Sequence, residues 1–129
     1  MHERTVVSTP GAPQAIGPYS QAVVSGGLVF TAGQIALDPA TGALVGGGDA
    51  AAEAERCLKN VEAVLVAAGS GLDMVLRCDV FLADLADFAS VNEAYGRFFR
   101  REPPARVTIQ AARLPKDARV EISVIAALR

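Results

Sequence analysis

Only two segments of this sequence repeat their apolar residues at helical spacing, whereas five or six have the pattern of strands. That imbalance sets the architecture. From Asp49 to Ala68, Ala54, Leu58, Val61, Leu65 and Ala68 fall on one helical stripe. Glu53, Arg56, Lys59, Asn60 and Glu62 make up most of the opposite face. Asp49 is placed to cap the start, and Gly69 to end the helix in a left-handed conformation. The second helix follows Asp84 or Asp87 as its cap and gathers Phe88, Val91, Tyr95 and Phe98 on one face. Pro103-Pro104 bars its continuation.

The other periodic segments read as strands. Thr5-Val6-Val7 is a short first one. Gln21 to Ser25 and Leu28 to Ala32 flank Gly26-Gly27, a pair able to take positive φ in a tight hairpin. Asp38-Pro39-Ala40-Thr41-Gly42 is a turn, and Gly46-Gly47-Gly48 a flexible loop without the Lys and Ser/Thr of a phosphate loop. Val75 to Ala83 points Cys78, Val80 and Leu82 one way. Ala105 to Ala112 and Arg119 to Leu128 come last, joined by Arg113 to Ala118. In the final strand Val120, Ile122, Val124 and Ala126 share one face, and Glu121, Ser123, Ile125 and Ala127 the other.

The order β-β-β-α-β-α-β-β describes one α+β domain, residues 1–129, with two helices on one face of a mixed sheet. The second sheet face carries Ile125, Ala127 and Val107 or Thr108, with no helix left to cover it. Such a face calls for burial against another subunit.

Composition narrows the function. A net charge of −2 leaves no basic stripe, so no nucleic-acid partner is expected. No apolar run is long enough to span a bilayer, and Met1-His2-Glu3-Arg4 does not open a signal peptide; the default compartment is the cytoplasm. Cys57 and Cys78 lie in no CxxC pair and read as reduced, mostly buried thiols. The one histidine is His2, in the N-terminal tail, which removes Ser-His-Asp and Cys-His catalysis and any clustered zinc site; no metal is expected.

What remains is arginine, glutamate, tyrosine and backbone. Arg106 enters an apolar strand after Pro104-Ala105, which is costly unless its charge is matched. It is either half of an exposed salt bridge or a fork that grips a carboxylate with two parallel hydrogen bonds. Glu121 is its partner, or Arg119's, or the group that orients or deprotonates a water; a hairpin of the last two strands would bring Arg106 and Glu121 toward one region. Tyr19, in the rigid turn Ile16-Gly17-Pro18-Tyr19-Ser20-Gln21, is core packing or a phenol at a pocket mouth. Gly33 is a turn glycine or exposes its N–H at a strand end. Asn92, beside Val91 on the second helix, braces a loop or is solvated.

Taken in order, these fragments resemble one family. They are Ile16 to Ala22, Thr31-Ala32-Gly33-Gln34-Ile35, Asn60 with Ala67-Ala68-Gly69, and Val80-Phe81-Leu82 before Asp84-Leu85 and Asp87-Phe88. Val91-Asn92, Tyr95, Phe98-Phe99, Pro104-Ala105-Arg106, Arg113-Leu114-Pro115 and Val120-Glu121-Ile122 complete the set. The chain is similar to the RidA/YjgF family of reactive-intermediate deaminases, also known as the endoribonuclease L-PSP or translation-inhibitor family. The resemblance implies a chorismate-mutase-like fold and a homotrimer whose sheets form a central barrel, with sites in the clefts between subunits. It implies hydrolysis of 2-imino acids such as 2-iminopropanoate and 2-iminobutanoate, without a cofactor, downstream of PLP-dependent dehydratases. It implies that Arg106 holds the substrate carboxylate and that Tyr19, Gly33, Asn92 and Glu121 line or support the pocket; from the residues themselves, Glu121 is the group expected to position the water.

Two positions depart from the family pattern. Pro103 stands where an aromatic residue is frequent before Pro-Ala-Arg, which touches side-chain preference. Thr108 stands where cysteine is frequent, so a contact there comes from backbone or hydroxyl. Two other functions stay open under the same resemblance. One is an endoribonuclease with Arg106 on phosphate and Glu121 as base; the other is a non-enzymatic trimer that binds small carboxylates.

Overall fold

The computed structural model describes residues 3–129; His2 lies outside them. Strands β1 (Thr5–Val7), β2 (Ala22–Ser25), β3 (Leu28–Thr31), β4 (Val75–Leu82), β5 (Ala105–Gln110) and β6 (Val120–Ala127) form one mixed sheet in the order β1-β2-β3-β6-β4-β5. Helices α1 (Ala50–Ala68) and α2 (Phe88–Phe98) complete an α+β fold.

Local chemistry places the elements. Gly26 and Gly27 have φ of 59° and 78°, the left-handed pair that closes the β2–β3 hairpin. The Asp49 carboxylate accepts from Ala51 N to start α1, and Gly69, at φ 90°, ends it with its N–H on the carbonyls of Leu65 and Val66. Asp84 caps a short 3-10 turn leading into α2. Asp87 makes no cap; its carboxylate pairs with Arg119 at 2.7 Å.

The core lies between α1 and the sheet. Cys78, Val80 and Leu82 of β4 and Val120, Ile122, Val124 and Ala126 of β6 meet Leu58, Val61 and Leu65 of α1, all buried. Glu53 and Asn60 lie on the buried side of α1, contrary to the expectation that they belong to the face opposite the apolar stripe. Both are buried, because each has backbone partners there. Asn60 Nδ2 donates to the carbonyls of Ile35 (3.2 Å) and Leu37 (2.9 Å), and Glu53 Oε1 accepts from Arg119 N at 2.9 Å.

A second correction concerns the last two strands. They do not pair. β4 lies between them, antiparallel to β6 and parallel to β5. A helix joining β4 to β5 makes them parallel neighbours through a crossover, which leaves β5 at the sheet edge. The face away from the helices stays open, with Val6, Phe30, Val107 and Ile109 exposed. Of the two candidates named for this face, Val107 lies on it; Thr108, in register with Val80, points to the helix side.

Candidate active site

The candidate residues fall into two groups on opposite faces of the sheet. Glu121 alternates with buried Val120 and Ile122, so its side chain leaves the face that α1 covers. There it borders a cavity of about 360 Å³ lined by Pro13, Ile16, Tyr19, Gly33, Leu37 and Pro115, among others. Gly33 is exposed, and a Cβ built on it would overlap the Glu121 carboxylate. Its φ is not left-handed, so the glycine serves close approach rather than backbone conformation. Burial pushes the Glu121 carboxyl above its ordinary value of 4.5. Tyr19 is exposed at the cavity, its turn closed by Tyr19 N donating to Gly17 O at 2.8 Å and Ile16 N donating to the phenol oxygen at 3.2 Å.

Buried polar side chains hold the cavity wall. Gln21 accepts from Thr9 N (2.7 Å) and donates to the carbonyls of Thr9, Ala12 and Pro13, while Asn60 fixes Ile35 and Leu37. Sequence reading missed these clamps. The signal was present: Glu53, Cys57, Asn60 and Val64 form one helical stripe, and a polar residue inside an apolar stripe needs a partner.

Arg106 and Thr108 form the other group. Arg106 aligns with buried Cys78, so both residues face α2. Its guanidinium carbon lies 4.8 Å from the Tyr95 ring centroid and 5.6 Å from that of Phe88. Among the described residues of its own chain it has no carboxylate within 4.0 Å, so no salt bridge within one chain holds it. The Thr108 hydroxyl is buried without a hydrogen-bond partner. Asn92, half-buried on α2, is one turn from Phe88 and from Tyr95 and so flanks the same spot. One chain therefore does not bring Arg106, Thr108 and Asn92 together with Tyr19, Gly33 and Glu121. Among the described residues no group of three or more His, Cys, Asp or Glu is placed to hold a metal ion, and Cys57 and Cys78 are free and buried.

The family model described as endoribonuclease L-PSP matches residues 9–128. The chain belongs to this family. Among curated members, the Myxococcus xanthus protein DfrA is 52% identical over 125 residues, covering 95% of each chain. The human 2-iminobutanoate/2-iminopropanoate deaminase is 48% identical over 123 residues, covering 95% of this chain and 89% of that protein. Solved structures of the endoribonuclease L-PSP family share the fold. RidA from an Antarctic Psychrobacter superposes with a TM-score of 0.92 at 40% identity, covering 96% of this chain and 99% of that one. Escherichia coli TdcF with bound serine gives 0.91 at 43% identity, covering 97% and 99%.

Proposed function

We propose that this chain hydrolyses reactive 2-imino acids, such as 2-iminopropanoate and 2-iminobutanoate, to 2-keto acids and ammonia. The observation that carries the reading is Arg106, a half-buried guanidinium with no carboxylate within 4.0 Å among the described residues of its own chain, on the same face of β5 as the unpartnered Thr108 hydroxyl. A buried charge without a partner is costly, and a substrate carboxylate supplies the missing one. The serine held by TdcF carries the same group, and the human relative is named for this reaction.

The two residue groups meet when the edge strand β5 of one copy faces the Glu121 cavity of another. A homotrimer, its open sheet faces turned inward as a barrel, accounts for both the uncovered apolar face and the divided site. In that cleft Arg106 holds the carboxylate. Thr108 and the Gly33 backbone orient the imine nitrogen, with Tyr19 and Asn92 closing the walls. Glu121 takes a proton from a water as its oxygen bonds to the imine carbon. It gives that proton to nitrogen, forming the carbinolamine; it then takes the carbinolamine's hydroxyl proton and passes it to the same nitrogen, so that the C–N bond breaks and ammonia leaves as the C=O bond forms. Imines hydrolyse unaided, so orientation and acid–base help suffice. We place the enzyme in the cytoplasm, downstream of PLP-dependent dehydratases that release such imines; no helix among the described residues is long and apolar enough to cross a membrane.

The test couples an amino-acid oxidase or a dehydratase to keto-acid detection. Arg106→Ala abolishes the acceleration, and Arg106→Lys loses most of it, because an ammonium cannot form the fork. Normal turnover by both variants refutes the reading. RNA cleavage by nuclease-free protein, lost in Arg106→Ala, would instead favour the activity in the family's other name.

A further inference from the structure

We infer that Tyr95 and Phe88 are positioning residues that hold the Arg106 guanidinium over their π faces and leave N–H donors for a carboxylate. The inference deepens the proposed function and rests on its assignment of Arg106. An arginine anchored by a carboxylate spends its donors on that anchor. Here the anchor is two aromatic rings, 4.8 and 5.6 Å from the guanidinium carbon, and a ring attracts a cation through its π face without using an N–H. The planar fork is thereby oriented while its donors stay available.

The two rings differ in how firmly they are held. Tyr95 is 6% exposed and packs on Phe99 with centroids 4.7 Å apart at 41°. Its hydroxyl is buried without a well-formed hydrogen bond, so its energetic use is the ring rather than the oxygen. Burial first, and then the adjacent Cys78 thiol, push that phenol above its ordinary value, keeping it neutral. Phe88 is 41% exposed at the start of α2 and closes the shelf from the solvent side. The spacing 88, 95 is two helical turns, so one helix presents both rings to one strand residue.

The test measures binding of 2-ketobutanoate, an unreactive carboxylate, by calorimetry, alongside kcat and KM for imine hydrolysis, at a temperature where every variant is folded by circular dichroism. Phe88→Leu and Tyr95→Leu each weaken 2-ketobutanoate binding about three- to tenfold and raise KM in step, the range set by a cation–π contact. Tyr95→Phe keeps the ring and binds as the parent does. A role in packing alone would lower the melting temperature of Tyr95→Leu and leave the affinity of the folded protein unchanged; that result overturns the inference. So does undiminished binding by both leucine variants while Arg106→Ala binds nothing, an outcome that leaves the deaminase reading standing. If Arg106→Ala binds as well as the parent, the assignment of Arg106 has failed and this inference falls with it.

Discussion

Gly33 and Glu121 occupy the same space: the volume a Cβ on residue 33 would need is filled by the Glu121 carboxylate. The backbone at Gly33 is not left-handed, so alanine there is conformationally allowed and slightly restricts the unfolded chain. Gly33→Ala is therefore expected to keep its melting temperature within a few degrees while pushing the carboxylate aside. A displacement of about 1 Å costs on the order of a hundredfold in rate. Stopped-flow imine hydrolysis beside thermal denaturation checks this. A Gly33→Ala protein with parental kcat/KM would show that the position of this carboxylate is immaterial.

Glu121 itself gives a pH signature. Burial raises its carboxyl above 4.5 in the folded chain. The carboxylate is the form that accepts the proton from water, so the acid limb of kcat/KM lies above the pH at which an exposed glutamate would place it. Stability follows the opposite sense. The folded state holds the proton more tightly than the unfolded state, so this contribution is fully present below the unfolded value and is lost as pH rises through the folded one. Glu121→Gln lacks the titration. The melting temperature of the parent minus that of Glu121→Gln is expected to be greatest in acid and to decline above about pH 4.5. A difference that grows with pH would mean that a cation, rather than burial, dominates at this carboxylate. In turnover, Glu121→Gln is expected to lose about a hundredfold or more.

Asn60 shows how a buried side chain far from any reacting atom supports the cavity. Its amide holds the carbonyls of Ile35 and Leu37, and both residues line the pocket. Asn60→Ala strands two buried acceptors, each costing roughly 1–3 kcal/mol, so urea denaturation is expected to show a loss of about 2–6 kcal/mol. The loosened wall is expected to raise KM more than it lowers kcat. Parental stability in Asn60→Ala would mean that water satisfies the two carbonyls.

The elements were legible because the chain marks them with local chemistry. Asp49 and Gly69 bracket α1 as their types suggest, Gly26-Gly27 closes its hairpin, and the alternation from Val120 onward matches the burial of β6. Strand neighbours were less legible. Adjacency in sequence suggested β5 against β6, but the intervening α2 dictates a parallel crossover, and β4 takes the place between them. The separation of Arg106 from Glu121 follows from that insertion together with the register, which aligns Arg106 with Cys78 on the helix side and Glu121 with Phe81 on the other. Glu53 and Asn60 were misjudged for a different reason, and the role of Gln21 went unread for the same one. A polar side chain reads as solvated until its backbone partners, remote in sequence, are known, and those partners exist only in the folded chain. The aromatic shelf beneath Arg106 was half visible, since Phe88 and Tyr95 share a helical face, but nothing local said which strand residue would lie on it.

The open sheet face yields the last prediction. Val107 and Ile109 project from the edge strand on the side away from both helices, and Phe30 stands exposed on that face farther along the sheet. Exposed apolar residues gathered on one face are a surface that associates, and the same edge strand carries Arg106 on its other side. A carboxylate introduced into such a contact has to be desolvated without a partner, at a cost of several kcal/mol per copy. Val107→Glu is therefore expected to lower the mass seen by light scattering to that of one chain. It is also expected to abolish imine turnover, although Arg106 and Glu121 are both intact, because the two residue groups lie on opposite faces of one chain and meet only between copies. Val107→Ala, which adds no charge, is expected to keep both mass and turnover. If Val107→Glu stays associated and active, this face is not where the copies meet; if it becomes monomeric yet still turns over imine, the two residue groups do not need each other and the divided-site mechanism fails.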